Sequence, residues 1–281
     1  MAYTTINKPS AHFNTKLYAG NSGTQSISGV GHQPDLVWVK QRNGSAYHQL
    51  TDVIRGVNSQ AAANAVGLGA SNTCLTAFNS DGFALGSNGD VNASNKNYVS
   101  WNWKANGSGS SNTNGSINTI KTSANTTSGF SISTFTGTGS NATVGHGLGV
   151  APKMVIVKSY SAGEDWTIYH SALGGTKYIV LNSTGVAGTN VGAFNNTSPT
   201  SSVFYVGTFG ATNGSSQTLV AYSFAEKQGF SKIGSYKGNG NADGAFVYTG
   251  FKPAFILIKN TENGARNWQI YDNKRIGYNY N

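Results

Sequence analysis

Self-similarity constrains this chain more than any other feature. A Gly-rich turn, a proline, an apolar run and a lysine recur as GVGHQPDLVWVK, GLGVAPKMVIVK and YTGFKPAFILIK, ending at Lys40, Lys158 and Lys259, at offsets of 118 and 101 residues. Ahead of each stands an aromatic followed by Gly-x-Gly or a near variant: Tyr18 with Gly20, Phe135 with Gly137 and Gly139, Tyr236 with Gly238 and Gly240. Behind each lysine a second box returns, as His48-Gln-Leu-Thr-Asp52, Trp166-Thr-Ile-Tyr-His170 and Trp268-Gln-Ile-Tyr-Asp272. A closing segment from Phe83 aligns without gaps on the one from Phe204, matching Gly86 with Gly207, Val99 with Val220, Trp101 with Tyr222 and Trp103 with Phe224. Landmarks that keep one order mark a repeated supersecondary unit whose faces are buried against its neighbours.

The repeat is present about two and a half times. The boundaries place a first unit with its N-terminal segment at 1–106, a linker rich in Gly, Ser, Asn and Thr at 107–128, a second unit at 129–228, and a partial third at 229–281. The third has its lysine strand and Trp box but no closing segment, so about fifty residues are missing by comparison with the second. Truncation of the chain is the expectation, and strands supplied by another chain are the alternative.

Within each unit, Val99, Trp101 and Trp103 alternate with polar residues, as do Val220, Tyr222 and Phe224, the pattern of half-buried antiparallel strands. The runs before the lysines read as central strands covered on both faces. Gly, Asn and Asp punctuate so often that little room is left for helices, apart from the alanine-containing stretch Ser59 to Leu68. The expected fold is all-β, a tandem array of antiparallel β-sandwiches each with its own core. With 37 glycines and only 10% charged residues, composition argues against an ordinary soluble enzyme, while 38% hydrophobic residues argue against disorder. A single cysteine, Cys74, leaves no disulfide framework. Apolar runs of four residues are far short of the roughly 20 that span a bilayer, and the opening MAYTTINKPS has no signal-peptide core.

Chemistry-bearing motifs are few. Nucleophile elbow, P-loop, Rossmann fingerprint and zinc spacing are all lacking, and Gly145-His-Gly-Leu-Gly149 precedes a strand where a phosphate loop needs a helix. His12, His32, His48, His146 and His170 stand at unrelated spacings and read as structural, and Glu164-Asp165 reads as a solvated tip. No catalytic residue, metal site or cofactor is expected. Trp166, Tyr169, Trp268 and Tyr271, with His48 at the matching position of the first unit, are the candidates for ligand binding, since aromatic rings stack on sugar faces. Their recurrence equally suits core positions. Lys40, Lys158 and Lys259 are expected to snorkel from strand ends to solvent. A net charge of +9 without basic clusters or RNA-binding motifs suits an acidic cell surface, and nucleic acid is not expected as a partner.

The blocks MAYTTINKPS, QPDLVWVK, DGFALG, YVSWNWKA, GHGLGVAPKMVIVK and FAEKQGFSKIGSYKGNGNADGAFVYTGFKPAFILIK resemble tail-fibre-like virion proteins of marine tailed bacteriophages, over essentially the whole chain. The resemblance implies concatenated lectin-like sandwiches of the concanavalin or laminin-G type in a virion, assembled in the host cytoplasm and released by lysis. It implies other virion proteins as partners, a homotrimeric assembly, and a host-surface glycan as ligand. A capsid decoration or head-fibre role without receptor binding is the alternative. A polysaccharide depolymerase is disfavoured by the absence of β-helix repeats and clustered carboxylates.

Overall fold

A computed structural model describes residues 3–67, 74–264 and 266–275. The architecture is all-β and sandwich-like, with several antiparallel sheets and, among the described residues, three α-helices of four residues each and a 3-10 turn at Pro9–Ala11. The first unit contains β1 (Phe13–Ala19), β2 (Gln25–Ser28), β3 (Leu36–Gln41), β4 (Gln49–Asp52), β5 (Ala61–Ala62), β6 (Leu75–Asn79), β7 (Gly82–Leu85), α1 (Gly89–Asn92) and β8 (Asn97–Trp103). Its larger sheet has the order β1-β8-β3-β4-β5 and its smaller one β2-β7-β6. Between them lie Ile27, Val37, Val39, Phe83, Leu85, Val91 and Tyr98, all buried.

The second unit follows the same path with β9 (Lys121–Asn125), β10 (Phe130–Thr136), β11 (Ala142–Gly145), β12 (Met154–Ser159), β13 (Thr167–His170), β14 (Lys177–Val180), β15 (Gly188–Thr189), α2 (Val191–Phe194), β16 (Val203–Val206), α3 (Gly210–Asn213) and β17 (Thr218–Phe224). Its large sheet runs β15-β14-β13-β12-β17-β10-β9, opposed by β11-β16. Equivalent strands keep equivalent register. Trp101 lies opposite both Thr15 and Trp38, and its counterpart Tyr222 lies opposite both Ile132 and Ile156. In each large sheet the closing strand, β8 or β17, is therefore inserted between the equivalent strands β1 or β10 on one side and the lysine strand, β3 or β12, on the other. Among the described residues of the third unit, β18 (Phe255–Ile258) and β19 (Gln269–Asp272) form as an antiparallel pair.

Two expectations change. Residues 107–128 are part of the second unit and not a free linker: Lys121–Asn125 pairs with β10, Ser110 bridges Thr122, Ile117 bridges Val144, and Ile117 is 7% exposed. Ser and Thr hydroxyls take over the polar satisfaction here, as when Thr122 and Ser133 bond at 3.0 Å inside the core. The stretch from Ser59 towards Leu68 forms β5 and turns over its described part, because Ala61 and Ala62 pair with the edge of β4; Leu68 lies outside the described residues.

The units share one core. The outer faces of both large sheets meet, burying Trp38, Leu50, Val99 and Trp101 of the first unit with Ile132, Ile156, Trp166, Ile168 and Tyr222 of the second. Phe255, Trp268 and Ile270 of the third pack on the same cluster. At its centre Trp103 touches Phe130 and Phe224 from the second unit and Phe255 from the third, with ring centroids 5.6–6.4 Å apart. Aromatic side chains bury the largest areas per residue, so this junction is where the units gain most from association.

Candidate functional site

The recurring boxes place their side chains at the joints between units. In the second unit the Trp166 indole is fully buried and donates from Nε1 to the Ala62 carbonyl of the first unit at 2.8 Å. In the third, Trp268 donates to the Val180 carbonyl of the second at 2.9 Å. Ala62 and Val180 occupy matching strand positions, opposite Gln49 and Thr167. The bond is thus the same one, shifted by a unit.

The lysines repeat this logic. Lys158 Nζ donates to Val66 O of the first unit at 3.0 Å and to Glu164 O at 2.6 Å. Lys259 Nζ donates to Thr184 O of the second unit at 3.0 Å and to Arg266 O at 2.8 Å. Lys158 is 0% exposed, so the snorkelling expected of it is replaced by a buried ammonium held by two carbonyls. Burial lowers its pKa to about 8, against the pull of Asp165 and Glu164.

A third element of the joint was not singled out in the sequence. Asp52 and Arg55, with side chains 0% and 1% exposed, form an ion pair at 2.5 Å. Tyr222 of the second unit completes it, donating its hydroxyl to Asp52 Oδ2 at 2.8 Å and accepting from Arg55 Nη2 at 3.0 Å. Burial opposes the Arg55 charge, but Asp52 and Tyr222 outweigh it and hold the guanidinium pKa above its ordinary value. Burial in turn pushes the Tyr222 phenol well up. The same device closes the third unit onto the first. Arg275 pairs with Asp272 at 2.6 Å and lies 5.1 Å over the Trp101 ring, while Trp101 Nε1 donates to Asp272 Oδ2 at 3.1 Å. Although burial alone would raise the Asp272 pKa, backbone N–H groups of Arg275 and Lys274 and the guanidinium bring it below the usual value. The legible signal was the Asp-x-x-Arg spacing at the end of two boxes, Asp52 to Arg55 and Asp272 to Arg275. In the second unit His170 and Leu173 replace that pair.

The joints therefore run head to tail, first to second, second to third, and third back to first, the arrangement of a ring. Within each complete unit an asparagine locks the closing segment. Asn92 Nδ2 donates to Gly86 O and Gly23 O, and its Oδ1 accepts from the Asn21 N–H. Asn213 does the same with Gly207 O, Ser140 O and the Thr138 N–H. Both are 0% exposed.

Of the five candidate ligand-binding residues, Trp166 and Tyr169 offer no surface, at 0% and 2% exposure. Each belongs to a core because the sheet face it stands on is covered, Trp166 by the first unit and Tyr169 by Phe194 on α2 and by the small sheet of its own unit. Trp268 is a joint residue. His48, half-buried, stands where the other units have the tryptophan, and burial with the nearby Lys40 charge lowers its pKa to about 4. Tyr271 alone has its ring in solvent, at 56% exposure. The five residues are not brought together into one site. Among the described residues no group of three or more His, Cys, Asp or Glu could hold a metal ion. A shallow opening of about 360 Å³ is lined by Ile258, Asn260, Arg266, Asn267 and Gln269 on the third unit. Cys74 is fully buried and its thiol is pushed up to about 12, which leaves it inert as a nucleophile.

No curated protein and no solved structure matches this chain. A family model described as a domain of unknown function, DUF7483, matches residues 8–281. The head-to-tail units thus lie almost wholly inside that match, and the chain belongs to the DUF7483 family.

Proposed function

We propose that this protein is a non-enzymatic structural component of a phage virion, a tail fibre or tail-associated adhesin whose tandem lectin-like sandwiches contribute to attachment to a host-surface glycan. The observation that carries this reading is where the chemistry-bearing side chains went. The recurrent Trp, Lys, Asp and Arg residues are spent on locking unit to unit through buried contacts, the economy of a rigid mechanical part. The blocks resembling tail-fibre-like proteins point the same way, as do the low charge and the abundance of amides and hydroxyls.

With Trp166 and Tyr169 buried, the glycan contact falls to the outward loops. The one ahead of β4 carries Tyr47 at 53% exposure, with Arg42 exposed earlier in the same loop. An exposed ring and a guanidinium donor are groups that stack on a sugar face and bond its hydroxyls. Other virion proteins and copies of this chain are the expected partners. The test is binding of the purified chain to host lipopolysaccharide or capsule. Tyr47→Ala is expected to weaken it about tenfold or more, with thermal stability unchanged. Unaltered binding by that variant removes the loop as the contact. Locating the protein in intact particles separates the roles: few copies at the tail support attachment, and hundreds across the capsid lattice make it a decoration protein.

A further inference from the structure

The third unit holds three kinds of unfinished contact. First, among the described residues β18 has no neighbour on the side where β3 is paired by β8 and β12 by β17. Second, the residues that match β1 and β10, Ser231 to Lys237, and those that match β2 and β11, Asp243 to Phe246, form no strand, and residues 234–248 are exposed throughout. Third, the inner face of the β18–β19 pair is open. Ile256 and Tyr271, which face each other across the pair, are 40% and 56% exposed, whereas their counterparts Val155 and Tyr169 are 0% and 2%. Phe246 and Tyr248 add 90% and 74% exposure nearby. Large apolar side chains of this kind, gathered on one sheet face whose counterpart in the second unit is buried, mark a surface built to be covered.

What covers it is specified by the two finished units. There, one closing segment does three jobs: its first strand pairs with β2 or β11, its asparagine clamps the turn after the Gly-x-Gly aromatic, and its last strand inserts between the first strand and the lysine strand. We propose that the third unit is an acceptor for such a closing segment, a polypeptide with the pattern Phe-x-x-Gly, a buried asparagine, and Val-x-aromatic-x-aromatic. Its last strand would run antiparallel to β18 and recruit residues 231–237 on its other edge. Its first strand would lie along 243–246. Its Tyr or Trp at the position of Trp101 and Tyr222 would fall against the second unit at His170 and Leu173, completing the ring of joints. A second copy of this chain does not fit as donor, because its own closing strands are already buried, with Trp101, Val220 and Tyr222 no more than 1% exposed.

The test uses the full chain with a peptide spanning residues 200–226, its own second closing segment, as probe, read by amide hydrogen exchange. Binding at one peptide per chain is expected to slow exchange at 231–237, 243–246 and 255–258 by about 100-fold, while β1 to β17 keep their rates. A peptide with Val220, Tyr222 and Phe224 each moved by one residue, which turns them to the other face, is expected to leave exchange unchanged. The Ile256→Asp chain should likewise lose the slowing and retain the protection of its first two units. As a second arm, residues 180–228 are joined after Asn281, and the same segments must become protected without added peptide. Failure of both arms, or equal slowing by the shifted peptide, overturns the proposal. So does concentration-dependent dimerisation that protects these segments with no peptide present, which would make the occupant a second copy.

Discussion

At Asp52 a carboxylate with no solvent contact is held by the Arg55 guanidinium, the Tyr222 hydroxyl and the backbone N–H groups of Ile54 and Arg55. A buried pair of this kind contributes little net stability over an apolar replacement, yet removing one partner strands the other charge. Asp52→Asn is therefore expected to destabilise the protein by about 3–5 kcal/mol, whereas Asp52→Leu with Arg55→Leu should cost much less or even stabilise. Urea unfolding of both variants checks this, and an equal loss in the two would mean that the charge pair is not what locks the joint. The polar contact buys register: Tyr222 has one place to put its hydroxyl, so the first and second units have one way to meet.

Among the elements, the closing segments decide whether a unit forms. The chain at Gly20 and Gly137 passes so close to the carbonyl at the end of α1 or α3 that a Cβ would collide with Ala93 O or Gly214 O. The Gly N–H groups meanwhile donate to Lys96 O and Gln217 O at 2.8 Å. This is the physical reason an aromatic followed by Gly stands ahead of the lysine strands β3 and β12. Gly137→Ala is expected to cost about 2–4 kcal/mol, since backbone must move to admit the methyl group. Gly238→Ala, at the matching place in the third unit, meets nothing and should be near neutral. Thermal melts of the two variants test the contrast, and equal losses would contradict the equivalence. Strand existence and the place of the turns were legible from these glycines and from the period-two alternation. The pairing of Lys121–Asn125 was not, because Ser and Thr in a Gly-rich tract read as linker, and only the hydroxyl bonds across the sheet reveal them as interior.

For the whole molecule, acid sensitivity follows from burial. All five histidines, His12, His32, His48, His146 and His170, have pKa values lowered by desolvation, His48 to about 4. The unfolded chain, with histidines near 6.5, takes up protons first, so stability is full above that value and declines as pH falls from about 6.5 towards 4. Asp35, whose pKa burial raises, opposes this as one group against five. The urea midpoint is expected to drop between pH 7.5 and pH 5, with a shallower drop in His48→Gln; a flat profile would contradict the burial of these rings as charge-excluding. Lys158 extends the trend upward, since its value near 8 lies below the unfolded 10.5 and stability gains as pH rises between them.

The amino-acid sequence by itself determined the recurrence of its boxes, the all-β class and most of the turns, because alternation, glycine placement and spacing are local properties of the chain. It could not say which aromatic residues face a ligand and which face a neighbouring unit, since a tryptophan on a sheet looks the same in either case. Only the tertiary structure decided that Trp166 and Lys158 reach across to carbonyls of the preceding unit and that Asp52 and Arg55 close on Tyr222, 170 residues away from Asp52. Those joints depend on how whole sheets stack. Stacking is fixed by the sum of buried apolar area and by the few buried polar groups that must each find a partner, a condition that no window of sequence contains.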